Sequence, residues 1–135
     1  MDSKVTVGVC VKNTEELIRR ALGSIVEQDF PHEAIKLIIV DDGSKDKTLS
    51  IVRDCVSEID IETIVCSSGG KGLGFSRQIV VDNAQGDYIV WVDGDMVLTK
   101  SFIRKHVEVM EKNPSTGAAC GNVISRGRRN ISCCS

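Results

Sequence analysis

The chain has 135 residues, 41% apolar and 27% charged, with 17 basic and 19 acidic side chains and a formal net charge of −2. That balance describes one ordinary globular domain, able to bury about two thirds of its unfolded surface, and gives no signal for a nucleic-acid or membrane-surface binder. No apolar run approaches the ~18 residues of a spanning helix, and residues 1–12 lack the layout of a cleavable leader, so a cytoplasmic location is expected.

Residues 4–11 (KVTVGVCV) read as a strand. Residues 14–28 then place Leu17, Ile18, Ala21, Leu22, Ile25 and Val26 at helical spacing, behind an Asn13-x-x-Glu16 capping box. The pattern breaks at Phe30-Pro31. A second apolar run, 35–40 (IKLIIV), leads through Asp41-Asp42-Gly43-Ser44 to a helix expected over about 46–58, striped by Leu49, Val52, Cys55 and Val56. A third strand near 61–66 meets the glycine-rich SSGGKGLG, and a third helix runs to about Ala84. Gly86-Asp87 turns the chain into a fourth strand, 88–92. The fourth helix, about 100–112, carries Phe102, Ile103, His106, Val107 and Met110 on one face. A last strand is expected near 117–124, closing a domain over 1–125 and leaving 126–135 as a basic, polar tail.

The six cysteines suggest disulfides or zinc, and their placement argues against both. Cys10, Cys66 and Cys120 fall inside strand-like runs and Cys55 on a helix stripe, where a thiol behaves as a small hydrophobe; no C-x-x-C pair exists. Cys133 and Cys134 are adjacent, a spacing suited neither to a metal nor to a strain-free disulfide.

Continuously apolar strands separated by amphipathic helices indicate a doubly wound, mostly parallel α/β sheet with helices on both faces. Ligands of such folds sit outside the carboxyl ends of the strands, where strand order reverses. The unusual residues fall at those ends: Lys12-Asn13, Asp41 to Ser44, the glycine loop, and Asp93-Gly94-Asp95.

Asp41 and Asp42 stand either as an acidic turn opening a helix or as carboxylates accepting from a base N–H or a ribose hydroxyl. Gly70 and Gly72, with Gly69 and Gly74, let backbone N–H groups approach a ligand, although neither the P-loop nor the G-x-G-x-x-G pattern is matched. Lys71 and Arg77 flank that loop as candidate phosphate partners or as solvated surface charges. Asp93 and Asp95 offer hard oxygen ligands suited to Mn²⁺ or Mg²⁺ carrying a diphosphate, and Gly94 is expected to keep their turn open. His106 reads as a packed histidine, Trp91 as core, and the Arg126-Gly127-Arg128-Arg129 cluster as a solvated tail.

The order VTVGVCVKNTEE, IIVDDGSKDKT, GGKGLGFSRQ and GDYIVWVDGDM resembles the nucleotide-binding half of inverting glycosyltransferases with the GT-A fold, the family 2 type that includes cellulose, chitin, hyaluronan and dolichyl-phosphate sugar synthases. The resemblance covers nearly the whole chain. It implies that Asp42, helped by Asp41, binds the uracil or ribose. It implies further that Asp93 contacts ribose or sugar, that Asp95 is the main metal ligand, and that Cys10, Val11, Lys12 and Asn13 line the base pocket. The implied donor is a UDP-sugar or GDP-sugar, and the implied acceptor is a saccharide or a lipid-linked hydroxyl.

Two departures stand out. Many members carry Pro-Thr-Tyr-Asn where this chain has Cys10-Val11-Lys12-Asn13. Members also continue into an acceptor-binding half with a carboxylate base, whereas no carboxylate side chain follows Glu111 here. The expectation is a donor-binding part, with the base, a partner chain or oligomer, and any peripheral contact with the inner face of a membrane supplied by other segments. The alternatives are an inactive nucleotide-sugar binding module and a sugar nucleotidyltransferase. The latter would carry an early glycine-rich loop that CVKNTEE lacks.

Overall fold

A computed structural model describes residues 4–112 and 124–126. Cys120, Cys133, Cys134, the tail from Gly127 onward and most of the strand expected at 117–124 lie outside the described residues. The strands are β1 (Val5–Val11), β2 (Ile35–Asp41), β3 (Glu62–Ser67), β4 (Tyr88–Asp93) and β5 (Ile124–Arg126). The helices are α1 (Ile18–Val26), α2 (Thr48–Val56), α3 (Leu73–Asn83) and α4 (Phe102–Lys112).

One sheet has the order β3-β2-β1-β4-β5. Its first four strands are parallel, and β5 runs antiparallel to β4, pairing Arg126 with Tyr88. Val5, Val7, Val9 and Val11 join Leu37, Ile39, Val90 and Val92 under α1, α2 and α4. Ile38, Val40, Ile89 and Trp91 face the opposite way, against Val80 and Ala84 at α3. Burial on both faces is why these strands are apolar at most positions rather than only at alternate ones, with Thr6 and Lys36 as buried polar exceptions. Among the described residues no helix is long and apolar enough to cross a membrane, and Cys10, Cys55 and Cys66 are free thiols.

Gln28 fixes α4 to the end of α1. Its amide donates to the carbonyls of Ser24 (3.1 Å) and Thr99 (2.6 Å), and its Oε1 accepts from the Ile103 N–H at 2.9 Å. Both of its N–H donors and its carbonyl oxygen find partners within one small region, which is how a polar side chain is tolerated there. Ser24 Oγ also accepts from the Leu98 N–H at 3.0 Å, so the segment after Asp95 is anchored to α1.

One expected feature is corrected. The Asn13-x-x-Glu16 capping box does not form. Asn13 sits at φ 51°, outside the extended region an N-cap occupies, and its Oδ1 accepts from the Lys45 N–H at 2.8 Å instead. The chain turns through residues 14–17, and α1 begins at Ile18. Leu17, placed by its spacing on the apolar stripe, is accordingly exposed.

Candidate functional site

Strand order reverses between β1 and β4, so the crevice expected of such a sheet opens where Cys10 pairs with Asp93. Both strands end there because polar, turn-forming residues interrupt their apolar runs.

Asp42 stands just beyond β2. Its Oδ1 accepts from Ser68 Oγ at 2.6 Å and from the Gly72 N–H at 2.9 Å, and its own N–H donates to the Val11 carbonyl at 2.9 Å. The Ser68 hydroxyl first, and then the Gly72 N–H, hold its carboxyl below the usual carboxylate range. Asp42 is thus an ionised, fixed acceptor at the start of α3, whose N-cap is Gly72. Asp41 parts from it. It follows Leu37 and Ile39 in strand alternation, its Oδ2 accepts from the Ser44 N–H at 3.3 Å, and its Oδ1 is buried without a hydrogen-bond partner.

The turn after β1 is zipped to the turn after β2. Asn13 N–H donates to Ser44 Oγ (2.9 Å), Thr14 N–H to Thr48 Oγ1 (2.8 Å), and Lys47 N–H to Glu15 Oε2 (3.1 Å). Asp46 accepts from the N–H and the hydroxyl of Thr48, at 2.9 and 2.5 Å, and from the Glu15 N–H at 3.3 Å. Thr48 draws the Asp46 carboxyl down. The amide of Asn13 is therefore engaged in structure. Val11, with 2% of its surface exposed, supports the rim from beneath rather than lining it.

Asp93 is half-buried and Asp95 exposed, and neither carboxylate makes a hydrogen bond or ion pair among the described residues. Gly94 between them is buried. A Cβ there would come within 2.8 Å of Val11 Cγ1 and 2.9 Å of Thr14 Oγ1, so close packing against the end of β1 and the turn after it requires glycine here. No group of three or more His, Cys, Asp or Glu able to hold a metal exists among the described residues. Two unengaged carboxylates on one turn nonetheless fit Mg²⁺ or Mn²⁺, which take one or two carboxylates and complete their shell with water and phosphate oxygens.

The rim has two electrostatic sides. A cleft of about 360 Å³ on the α1 side is bordered by Glu15, Glu16, Asp46 and Asp95. Its four carboxylates oppose a bare anion. On the α3 side Lys71 Nζ sits 4.8 Å from the Phe75 ring centre, and the Arg77 guanidinium 5.7 Å from that of Trp91. Cys10 reports on the ground between. Burial pushes its thiol up to about 11, Arg77 opposes the rise, and Asp93 and Asp42 reinforce it. The thiol is neutral near pH 7 and is a wall rather than a nucleophile.

The structure therefore brings Cys10, Asp42, Gly70, Lys71, Gly72, Arg77, Asp93 and Asp95 to one rim. It leaves Lys12 exposed at the edge and turns Val11 and Asp41 away. Sequence reasoning missed Ser68 and the Asp46–Thr48 pair. The Asp-x-Thr opening of α2 was a legible turn signal, whereas nothing local marks Ser68 as the partner of a residue 26 positions earlier. His106 is packed as expected, with Nδ1 donating to the Phe102 carbonyl at 2.7 Å.

Comparison with known proteins agrees with this fold. The model of the family described as Glycosyl transferase family 2 matches residues 6–131. Poly(ribitol-phosphate) beta-N-acetylglucosaminyltransferase TarS of Staphylococcus aureus is 28% identical over 112 residues, covering 83% of this chain and 20% of that protein. The structure of S. aureus TarS 1–349 in complex with UDP is similar at TM-score 0.74 and 27% identity, over 82% of this chain and 33% of that one. Mannosyltransferase PcManGT from Pyrobaculum calidifontis, in complex with GDP-Man and Mn²⁺, is similar at TM-score 0.80 and 27% identity, over 89% of this chain and 36% of that one. The chain thus spans only about a fifth to a third of the length of these relatives.

Proposed function

This chain belongs to glycosyl transferase family 2, and on that premise we propose that its strand-end rim binds a metal-bound nucleotide-diphosphate sugar for inverting transfer to a hydroxyl acceptor. The observation that carries the reading is the juxtaposition, at the β1/β4 switch point, of a fixed anionic acceptor, Asp42, with the unengaged Asp93 and Asp95. Asp42 accepts from the base or ribose. Asp93 and Asp95 hold Mn²⁺ or Mg²⁺, Asp95 as the main ligand and Asp93 shared with ribose or sugar. Bound there, the cation offsets the charge of the departing diphosphate. Gly70 and Gly72 bring backbone close to the donor, and Lys71 and Arg77 supply positive charge on the side away from the acidic cleft.

In the transfer, the acceptor oxygen forms a bond to the anomeric carbon as the bond to the diphosphate oxygen breaks. The hydroxyl proton passes to a carboxylate base, and the nucleoside diphosphate leaves. A positioned base contributes ~10²–10⁴-fold. We assign the donor side of this reaction to the rim and the base to another segment or chain, a division supported by the 20% of TarS that the match spans. Donor sugars of the UDP or GDP type are supported by the UDP and GDP-Man complexes of the similar structures.

Calorimetry with UDP and with GDP, in Mn²⁺ and in chelator, tests the reading. Binding of one nucleotide that depends on the metal is expected, and equal affinity in chelator overturns it.

A further inference from the structure

Trp91, on β4 two residues before Asp93, has 4% of its surface exposed. Its indole is pinned. A Cβ on Gly8, its register partner on β1, would lie 3.1 Å from Trp91 Cζ3 and 2.6 Å from Val80 Cγ1 of α3, so the ring occupies space that only glycine leaves free. Over that ring stands the Arg77 guanidinium, 5.7 Å from its centre.

Arg77 is half-buried and, among the described residues, has no ion pair and no hydrogen bond to a carboxylate. With none of its five N–H donors on an anion among the described residues, this half-buried guanidinium has donors available to a ligand, and the aromatic face beneath favours its positive charge. A guanidinium seated over an aromatic face keeps N–H groups at its edge to meet oxygens, the groups with which Arg binds phosphate two at a time. The ground next to it holds Cys10, which responds to Arg77, Asp93 and Asp42 together.

We propose that Trp91 is a positioning residue for donor binding, its pinned indole holding the Arg77 guanidinium at the rim so that the free N–H edge engages the nucleoside diphosphate. The inference rests on the donor-binding reading above and adds a residue that does not itself touch the donor. A tryptophan that only filled the core would affect stability without selectively affecting nucleotide affinity.

Trp91 is the sole tryptophan of the chain, so its emission reports on the stack directly. Titrating the protein with UDP or GDP in Mn²⁺ is expected to shift that emission, and Arg77→Met is expected to remove the shift. By calorimetry, Trp91→Leu is expected to weaken nucleotide binding about fivefold, the scale of a cation–π contact, while Trp91→Phe keeps most of the affinity. Trp91→Leu on the Arg77→Met background should add no further loss, and urea titration checks that each variant is folded. Should Trp91→Leu fail to fold, Trp91→Phe and Trp91→Tyr, alone and with Arg77→Met, carry the same cycle with a smaller expected coupling. Wild-type affinity in folded Trp91→Leu, or, for whichever Trp91 variant folds, losses that add to those of Arg77→Met, overturn the inference. Absence of nucleotide binding by the wild type instead overturns the reading on which it rests.

Discussion

Gly43 and Gly70 meet backbone to backbone: a Cβ on Gly43 would stand 3.0 Å from the Gly70 Cα and 3.2 Å from its nitrogen. Both have positive φ, 73° and 78°. The turn carrying Asp42 and the glycine loop carrying Gly72 are thereby held close enough for the Asp42 to Gly72 hydrogen bond. Gly43→Ala is expected to combine backbone strain with a clash against backbone, destabilising by roughly 1–3 kcal/mol and weakening nucleotide binding. Gly69→Ala, with φ 68° but nothing within 4 Å of the added carbon, should show only the strain. Urea midpoints and calorimetry on the pair check this; equal losses would show that the contact contributes nothing.

Gly94→Ala tests the other wall of the rim. Its added carbon meets Val11 and Thr14, so the Asp93-Gly94-Asp95 turn must move away from β1. The expected outcome is a larger loss of Mn²⁺-dependent nucleotide affinity than of stability, because Asp95 lies on an exposed turn while the core beneath stays packed. Unchanged Mn²⁺ titrations would contradict it.

The two carboxylate roles separate by mutation. Asp95→Asn is expected to abolish the metal dependence of nucleotide binding, since an amide oxygen is a poor substitute for a charged ligand to Mg²⁺ or Mn²⁺. Asp42→Asn is expected to damage recognition of the nucleoside itself, measured with uridine or guanosine in the absence of metal. Equal effects of both on nucleoside binding would show the assignment to be wrong.

His32 gives the fold a pH dependence away from the rim. Its Nε2 lies 2.8 Å from the Val26 carbonyl oxygen and its Nδ1 2.5 Å from Asp60 Oδ1. Both neighbours accept, so the doubly protonated ring satisfies both. The Val26 carbonyl first, and Asp60 after it, raise its pKa above 6.5, with Glu33 adding a smaller push. A raised folded pKa means the stabilisation is complete below the unfolded value, about 6.5, and is lost as pH climbs through the higher folded value. Stability measured by urea is expected to fall as pH rises from about 6.5 through the higher folded value, and His32→Gln should flatten that fall. A parallel decline in the variant would assign the pH dependence to another group.

The sequence alone determined the strand runs, the amphipathic helices, and the placing of Asp42, the glycine loop and Asp93-Gly94-Asp95 at strand ends, because periodicity and turn chemistry are local properties written in consecutive residues. Even so, Asn13 deceived: a capping pattern is only a competitor for its hydrogen bonds, and Lys45, 32 positions away, won. Only the tertiary structure decided that Asp42 is held by Ser68 and Gly72 while Asp41 faces the other way, that Gly94 is required by the pressure of Val11 and Thr14, and that Arg77 rests on Trp91. These are contacts between residues 14 to 83 positions apart. Their geometry is set by sheet register and by how closely α3 approaches β1, quantities that no window of sequence contains.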